Sequence, residues 1–280
     1  MSAFGGVTVR EALDSAVIAI AAAGSGTARL DAELLLAAVL DIDRTALFLD
    51  PSREVTGTAV RAFQDAVRRR SAGREPVAYI TGKRGFRHIE LAVDARVLVP
   101  RPETELLVEV AVELVAQGAR VVDIGTGSGA IALALASERP DLDVVATDIS
   151  ADALSVARAN ADRLGLGGVV FFHGDLLAGV ERADAVLSNP PYVEERQRAS
   201  LQPEITRHEP PGALFAGEDG LDVIRRLVPA AAAMGARLLA IELGEGQAAP
   251  VAELMRDAGF DDVQARRDLS GIERVAVGRR

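Results

Sequence analysis

At 280 residues, with 49% hydrophobic and 26% charged side chains, the chain has ample material for one large folded domain or two ordinary ones and is not of the disordered class. It contains no Cys, which excludes disulfides and cysteine-ligated metals and suits a reducing cytoplasm. A net charge of -10 argues against a protein whose main task is gripping nucleic-acid backbone, and no apolar run approaches the ~20 residues of a membrane helix, so neither direct nucleic-acid binding nor a membrane is expected.

Thr8-Val9-Arg10-Glu11 is a capping-box pattern, and Val9, Leu13, Ala16, Val17 and Ile20 recur at helical spacing up to Gly24. Glu11 and Asp14 interrupt this apolar stretch, so it does not read as a secretory signal, and a cytoplasmic location is expected. A second helix is predicted from about Arg29 to Leu40, where Asp41 and Asp43 end the pattern, then a short piece from Thr45 to Leu49 before Pro51. A further helix spans about Thr58 to Arg70, with Val60, Phe63 and Val67 on one face. Arg68, Arg69 and Arg70 at its C-terminus read as a solvated helix end matched to the dipole. Short helices on short loops predict a small bundle over residues 1–73, closed by Ser71-Ala72-Gly73.

After Pro76 the period changes. Tyr79-Ile80-Thr81 and the alternation Phe86, Ile89, Leu91, Val93 read as two strands around Gly82-Lys83-Arg84-Gly85, which makes residues 74–100 a β-hairpin linker. Pro100-Arg101-Pro102 then holds an extended approach to a helix from about Glu103 to Ala116. That segment is either a well-capped helix start or the wall of a nearby ligand site.

Ala119 to Ile124 is a short strand, followed by Gly125-Thr126-Gly127-Ser128-Gly129-Ala130 and a helix from Ile131 to Ser137. A glycine-rich turn between strand and helix lets backbone approach a ligand closely and aims helix N–H groups at it. Asp148 ends the next strand, Asp143 to Thr147, where an acidic side chain can accept from ribose hydroxyls. The glycine pattern alone is weak, because G-x-G-x-x-A also suits a dinucleotide dehydrogenase. No P-loop Gly-Lys-Ser/Thr is present.

Val169 to His173 is predicted as strand three of this series and Ala185 to Leu187 as strand four, which runs into Ser188-Asn189-Pro190-Pro191-Tyr192. Two prolines cannot extend a ladder, so the chain leaves the sheet there, at the carboxyl end where open α/β sheets place ligands. The residue types suit a planar –NH2 group whose nitrogen must become a nucleophile. The Asn189 oxygen and the Pro190 carbonyl can each accept one of its hydrogens, and Tyr192 offers a flat face. In isolation the motif reads as a rigid turn. Glycine turn, ribose-type acid and Asn-Pro-Pro-Tyr on successive strands instead describe S-adenosylmethionine-dependent methyltransferases acting on amide or amino nitrogen.

Residues 193–219 lack clear periodicity and read as a long functional loop. A helix from Gly220-Leu221 to about Ala233, a strand from Leu238 to Leu243, a helix from Ala248 to Ala258 and late strands around Val263 to Arg266 and Arg274 to Val277 complete a mostly parallel, doubly wound α/β sheet. His88, His173 and His208 lack ligand spacing, and no metal is expected.

With these residues in hand, the chain resembles the HemK/PrmC family of peptide-chain-release-factor glutamine methyltransferases over essentially its whole length. The resemblance rests on Leu30 to Leu36, Pro100-Arg101-Pro102-Glu103-Thr104-Glu105, Asp123 to Gly129, Asn189 to Tyr192 and the Glu209-Pro210 to Gly220-Leu221 segment. It implies a Rossmann-like class I methyltransferase sheet over residues 101–280 with a final antiparallel strand, a helical domain over 1–73 that helps dock the substrate, and the hairpin linker over 74–100. The implied reaction methylates the glutamine amide of the release factor's Gly-Gly-Gln motif in support of translation termination, and leaves S-adenosylhomocysteine.

Carried over by position, Gly125, Thr126, Gly127, Ser128, Gly129, Asp148, Leu176 and Asn189 bind the methyl donor. Asn189, Pro190, Pro191 and Tyr192 hold the glutamine, with Asn189, Pro190 and Tyr192 as the catalytic set. Family members often carry an aromatic residue where this chain has Leu176, so stacking on adenine is replaced by apolar contact. Three rivals remain: an adenine-N6 nucleic-acid methyltransferase using the same Asn-Pro-Pro-Tyr site on a flipped base, an NAD-dependent dehydrogenase, and a non-catalytic adaptor that keeps the fold.

Overall fold

The computed structural model describes residues 6–280. They form two compact units, one running to Gly82 and including Gln202–His208, the other made of Lys83–Leu201 and Glu209–Arg280.

In the first unit β1 (Val7–Thr8) pairs antiparallel with β2 (Glu54–Val55), and four helices follow the predicted pattern: α1 (Val9–Ala22), α2 (Ala28–Leu40), α3 (Arg44–Leu49) and α4 (Gly57–Ser71). The capping box is formed in full, with the Thr8 hydroxyl accepting from Glu11 N and Glu11 Oε2 accepting from Thr8 N at 2.8 Å. Ile20, Ala32, Leu35, Leu36 and Phe63 fill the core, each large side chain contributing roughly 1.5–3 kcal/mol through burial.

Two sequence expectations fail in this unit. Val77–Thr81 is a one-turn helix, α5, and not a strand: Ala78 and Tyr79 are both buried, whereas a strand would send neighbouring residues to opposite faces. The arginine run is not uniformly solvated either. Arg68 is exposed beside Asp65, but Arg70 is buried, with its guanidinium on Asp31 at 2.7 Å and on Glu204 at 2.6 Å. Glu204 also receives Arg74 at 2.6 Å, and it comes from the short helix Pro203–His208, which is α9 in chain order. Part of the loop predicted over 193–219 is thus a helical component of this unit.

The second unit opens with a hairpin, β3 (Lys83–Phe86) and β4 (Ile89–Ala92), which turns at Arg87-His88 and not at Gly82 to Gly85. Its main body is α6 (Glu105–Leu114), β5 (Arg120–Ile124), α7 (Ala130–Glu138), β6 (Asp143–Asp148), α8 (Ala151–Leu164), β7 (Val170–His173), β8 (Ala185–Ser188), α10 (Asp222–Ala233), β9 (Leu238–Glu242), α11 (Ala248–Asp257), β10 (Asp262–Arg267) and β11 (Glu273–Arg279). Helix α8 was not singled out from sequence, although Ser150 caps its start and Gly165, at φ 71°, ends it.

The sheet is seven-stranded in the order β10-β11-β9-β8-β5-β6-β7, parallel except for β11, which is antiparallel to both neighbours. Strands β8 and β9 are buried at every position, as parallel strands covered on both faces must be. From β5 the chain steps outward through β6 to β7, then returns to β8 on the other side of β5. The order therefore reverses between β5 and β8, which places a ligand crevice at their carboxyl ends.

Candidate active site

That edge is built by two adjacent turns. Ile124 and Ser188 are register partners, and the Ser188 hydroxyl donates to the Ile124 carbonyl at 2.8 Å. The glycine turn and the Asn-Pro-Pro-Tyr turn therefore leave neighbouring strands at the same level.

The glycine turn is shaped by backbone demands. Gly125, Gly127 and Gly129 have φ of 72°, 57° and 87°, and a Cβ on Gly129 would meet Leu133 Cδ1 at 2.8 Å. The amides of Gly125 and Thr126 donate to the Thr147 carbonyl at 2.9 and 3.0 Å, tying the turn to β6. Asp123 lies beneath it. Its Oδ2 accepts from the Thr126 hydroxyl at 2.7 Å and from Ala132 N at 3.2 Å, and complete burial pushes the carboxyl up to about 7.

Asp148 accepts from Gly127 N at 2.9 Å and Ser150 N at 2.8 Å. Burial raises its carboxyl above the ordinary range, and these amides oppose that shift. Each oxygen keeps a lone pair for a further donor. Beside it is a cavity of about 440 Å³ lined by Gly125, Gly127, Asp148, Ile149, Leu176 and Asn189, among others. Pro190 and Pro191 also face it.

The remaining sequence candidates are placed differently. Thr126 is committed to Asp123, Ser128 gives its carbonyl to Asn160 at 2.9 Å, and Gly129 caps α7, so none of the three is at the cavity wall. Tyr192 is also set back from the wall. Its hydroxyl donates to Glu242 Oε1 at 3.2 Å, and Gln247 Nε2 donates to its carbonyl at 3.0 Å.

Sequence reasoning passed over Ile149, which is 70% exposed on the cavity side of Asp148, and Arg226, paired with Asp175. The signal for Ile149 was available, because a large apolar residue directly after a strand-terminal acid has no place in the core. Val97 and Leu98 line the cavity, which makes their segment a wall. Pro210 and Gly212 line it too, next to Glu209, a buried carboxylate held by Arg101 at 2.6 Å. Burial raises the Glu209 carboxyl and Arg101 opposes that.

The donor set suits an adenosine-bearing group. Asp148 supplies acceptors for sugar hydroxyls, Ile149 and Leu176 supply apolar surface for a flat base, and the glycine turn supplies room. A doubly wound sheet ending in an antiparallel strand, with this crevice at its switch point, is the class I methyltransferase fold. The hMettl16 catalytic domain, solved with a MAT2A 3'UTR hairpin, shares that fold with TM-score 0.57 at 15% identity over 81% of this chain and 84% of its own. Residues 11–82 match the PrmC N-terminal domain model and residues 102–234 the methyltransferase small domain model. The release factor glutamine methyltransferase of Koribacter versatilis is 43% identical over 98% of this chain and 99% of its own, and that of Deinococcus radiodurans 43% identical over 97% and 98%. The chain belongs to the release factor glutamine methyltransferase family.

Proposed function

We propose that this chain methylates the side-chain amide nitrogen of the glutamine in the Gly-Gly-Gln motif of peptide chain release factors, using S-adenosylmethionine, and so supports translation termination in the cytoplasm. The observation that carries the reading is the register of Ile124 with Ser188, which sets the glycine turn and the Asn-Pro-Pro turn on the same cavity. The similarity to release factor glutamine methyltransferases across nearly the full chain supports the substrate class. The helical unit, which runs to Gly82 and includes Gln202–His208, docks the release factor, and Lys83–Leu201 with Glu209–Arg280 carries the transfer; the match of residues 11–82 to the PrmC N-terminal domain supports the first of these assignments.

S-adenosylmethionine supplies a methyl group on a sulfonium, an already activated leaving group. The protein therefore has to position the acceptor and sharpen it. Gly125 and Gly127 would admit the methyl donor's close approach, Asp148 would accept from its ribose, and Ile149 and Leu176 would offer apolar surface to its base. Asn189 Oδ1 and the Pro190 carbonyl accept the two amide hydrogens, which draws density onto a nitrogen whose lone pair is otherwise delocalised. The N–C bond would form as the methyl–sulfur bond breaks, the electron pair staying on sulfur to leave neutral S-adenosylhomocysteine, and the nitrogen would release one proton to solvent. Orientation supplies up to ~7–11 kcal/mol of the barrier lowering and one such acceptor ~3–4 kcal/mol. Tyr192 acts from behind the turn, through Glu242.

The test supplies labelled S-adenosylmethionine with a release factor, with the same factor lacking the glutamine, and with duplex DNA. Label on the intact factor alone is expected. Label on DNA would instead support the adenine-N6 reading.

A further inference from the structure

Behind Asn189 lies a buried polar chain. Thr104, 3% exposed, ends the turn that precedes α6, and its Oγ1 accepts from Asn189 Nδ2 at 3.0 Å. Glu242, 1% exposed, ends β9; its Oε1 holds the Tyr192 hydroxyl while Oε2 has no hydrogen-bond partner among the described residues. The Thr104 hydroxyl stands close enough to this carboxyl to favour its charged form. A hydroxyl that is already accepting has one proton to give, and a buried acceptor left without a partner is costly. Thr104 thus has a proton to give beside a carboxyl whose Oε2 lacks a donor.

We infer that Thr104 and Glu242 are positioning residues that decide which way round the Asn189 amide lies. The oxygen and nitrogen of that amide are nearly equal in shape, so only their partners orient them. Glu242 takes the Thr104 proton, the Thr104 lone pairs take Asn189 Nδ2, and Asn189 Oδ1 is left toward the cavity as an acceptor. Turned over, Asn189 would present its own –NH2 to the substrate –NH2, donor against donor. The inference rests on the methyl-transfer reading and gives it a polarity.

An ionised Glu242 can only accept. A protonated one can donate to Thr104, which frees the Thr104 proton for Asn189 Oδ1 and reverses the chain. Burial pushes this carboxyl up to about 7, opposed by the Thr104 and Tyr192 hydroxyls and by Arg274 from β11, and reinforced by Glu103 from the turn before α6. Orientation of Asn189 therefore weakens as pH falls through about 7.

The experiment measures kcat, release-factor KM and methyl-donor Kd across pH for the full chain, Thr104→Val, Thr104→Ser and Glu242→Gln. Thr104→Val is expected to lower kcat by about tenfold or more with Kd and KM little changed, and Thr104→Ser to restore most of it. Wild-type kcat is expected to fall with an inflection near 7 that Glu242→Gln lacks. Wild-type kcat in Thr104→Val, an unrescued loss in which Kd rises with it, or an inflection retained in Glu242→Gln would each overturn the inference. If Thr104→Val does not fold, the Glu242→Gln profile decides alone. A wild-type protein that leaves the release factor unmethylated sinks the underlying reading instead.

Discussion

The Asp148 carboxylate and the Gly127 amide are joined across two strands: Gly127 N donates to Asp148 Oδ2 at 2.9 Å, so the acid that ends β6 also fixes the glycine turn that follows β5. One residue thus shapes the turn and presents acceptors to the cavity.

Asp148→Ala should remove both roles at once. Charged hydrogen bonds of this kind contribute ~1.5–3 kcal/mol each, so methyl-donor affinity is expected to drop by at least about tenfold. Calorimetric titration with S-adenosylmethionine or its demethylated product checks this, and an unchanged affinity would remove Asp148 from the donor site.

Asn189→Ala is expected to separate binding from chemistry. Donor affinity stays measurable while single-turnover methylation falls by ~10²–10³, the cost of one acceptor at a reacting centre. Near-normal turnover in this variant would rule out the role assigned to the side chain.

Asp123 should make stability depend on pH. Its carboxyl rises from an ordinary 3.8 to about 7 on folding, so the folded state keeps a proton that the unfolded chain has lost. The Asp123 contribution to stability is therefore greatest below about 4, declines as pH rises to about 7, and stays reduced above that. Asp123→Asn, which does not titrate, is expected to gain Tm relative to wild type between pH 5.5 and 8. A difference that does not vary with pH would contradict this.

Arg70→Ala leaves Asp31 and Glu204 buried without their shared cation. Breaking such a cluster from one side costs ~3–5 kcal/mol. Urea unfolding followed by circular dichroism should show a first transition lowered by that order, whereas exposed Arg68→Ala should change it by less than about 1 kcal/mol.

The parts of the fold visible in the chain were those with a local cause. Valine and leucine runs gave β5, β8 and β9, and the prolines after Asn189 marked the strand end, because each pattern follows from the chain's own backbone chemistry. The meeting of Asn189 with Thr104 was not visible, since 85 residues separate them and neither sequence context mentions the other. Arg70 misled for the same reason: locally it ends a helix, and only carboxylates 39 and 134 residues away explain its burial. Tyr79-Ile80-Thr81 suggested a strand, but the chain forms a helical turn from Val77 to Thr81 that buries Ala78 and Tyr79 together.

Because Gln202–His208 is counted with the helical unit, a cut at Gly82 would not yield two self-sufficient modules. The amino-terminal fragment would lose Glu204, and Arg70 and Arg74 would confront an empty slot. Any gene fusion or exchange that grafts this unit onto another methyltransferase must bring along a second piece, inserted just downstream of Tyr192.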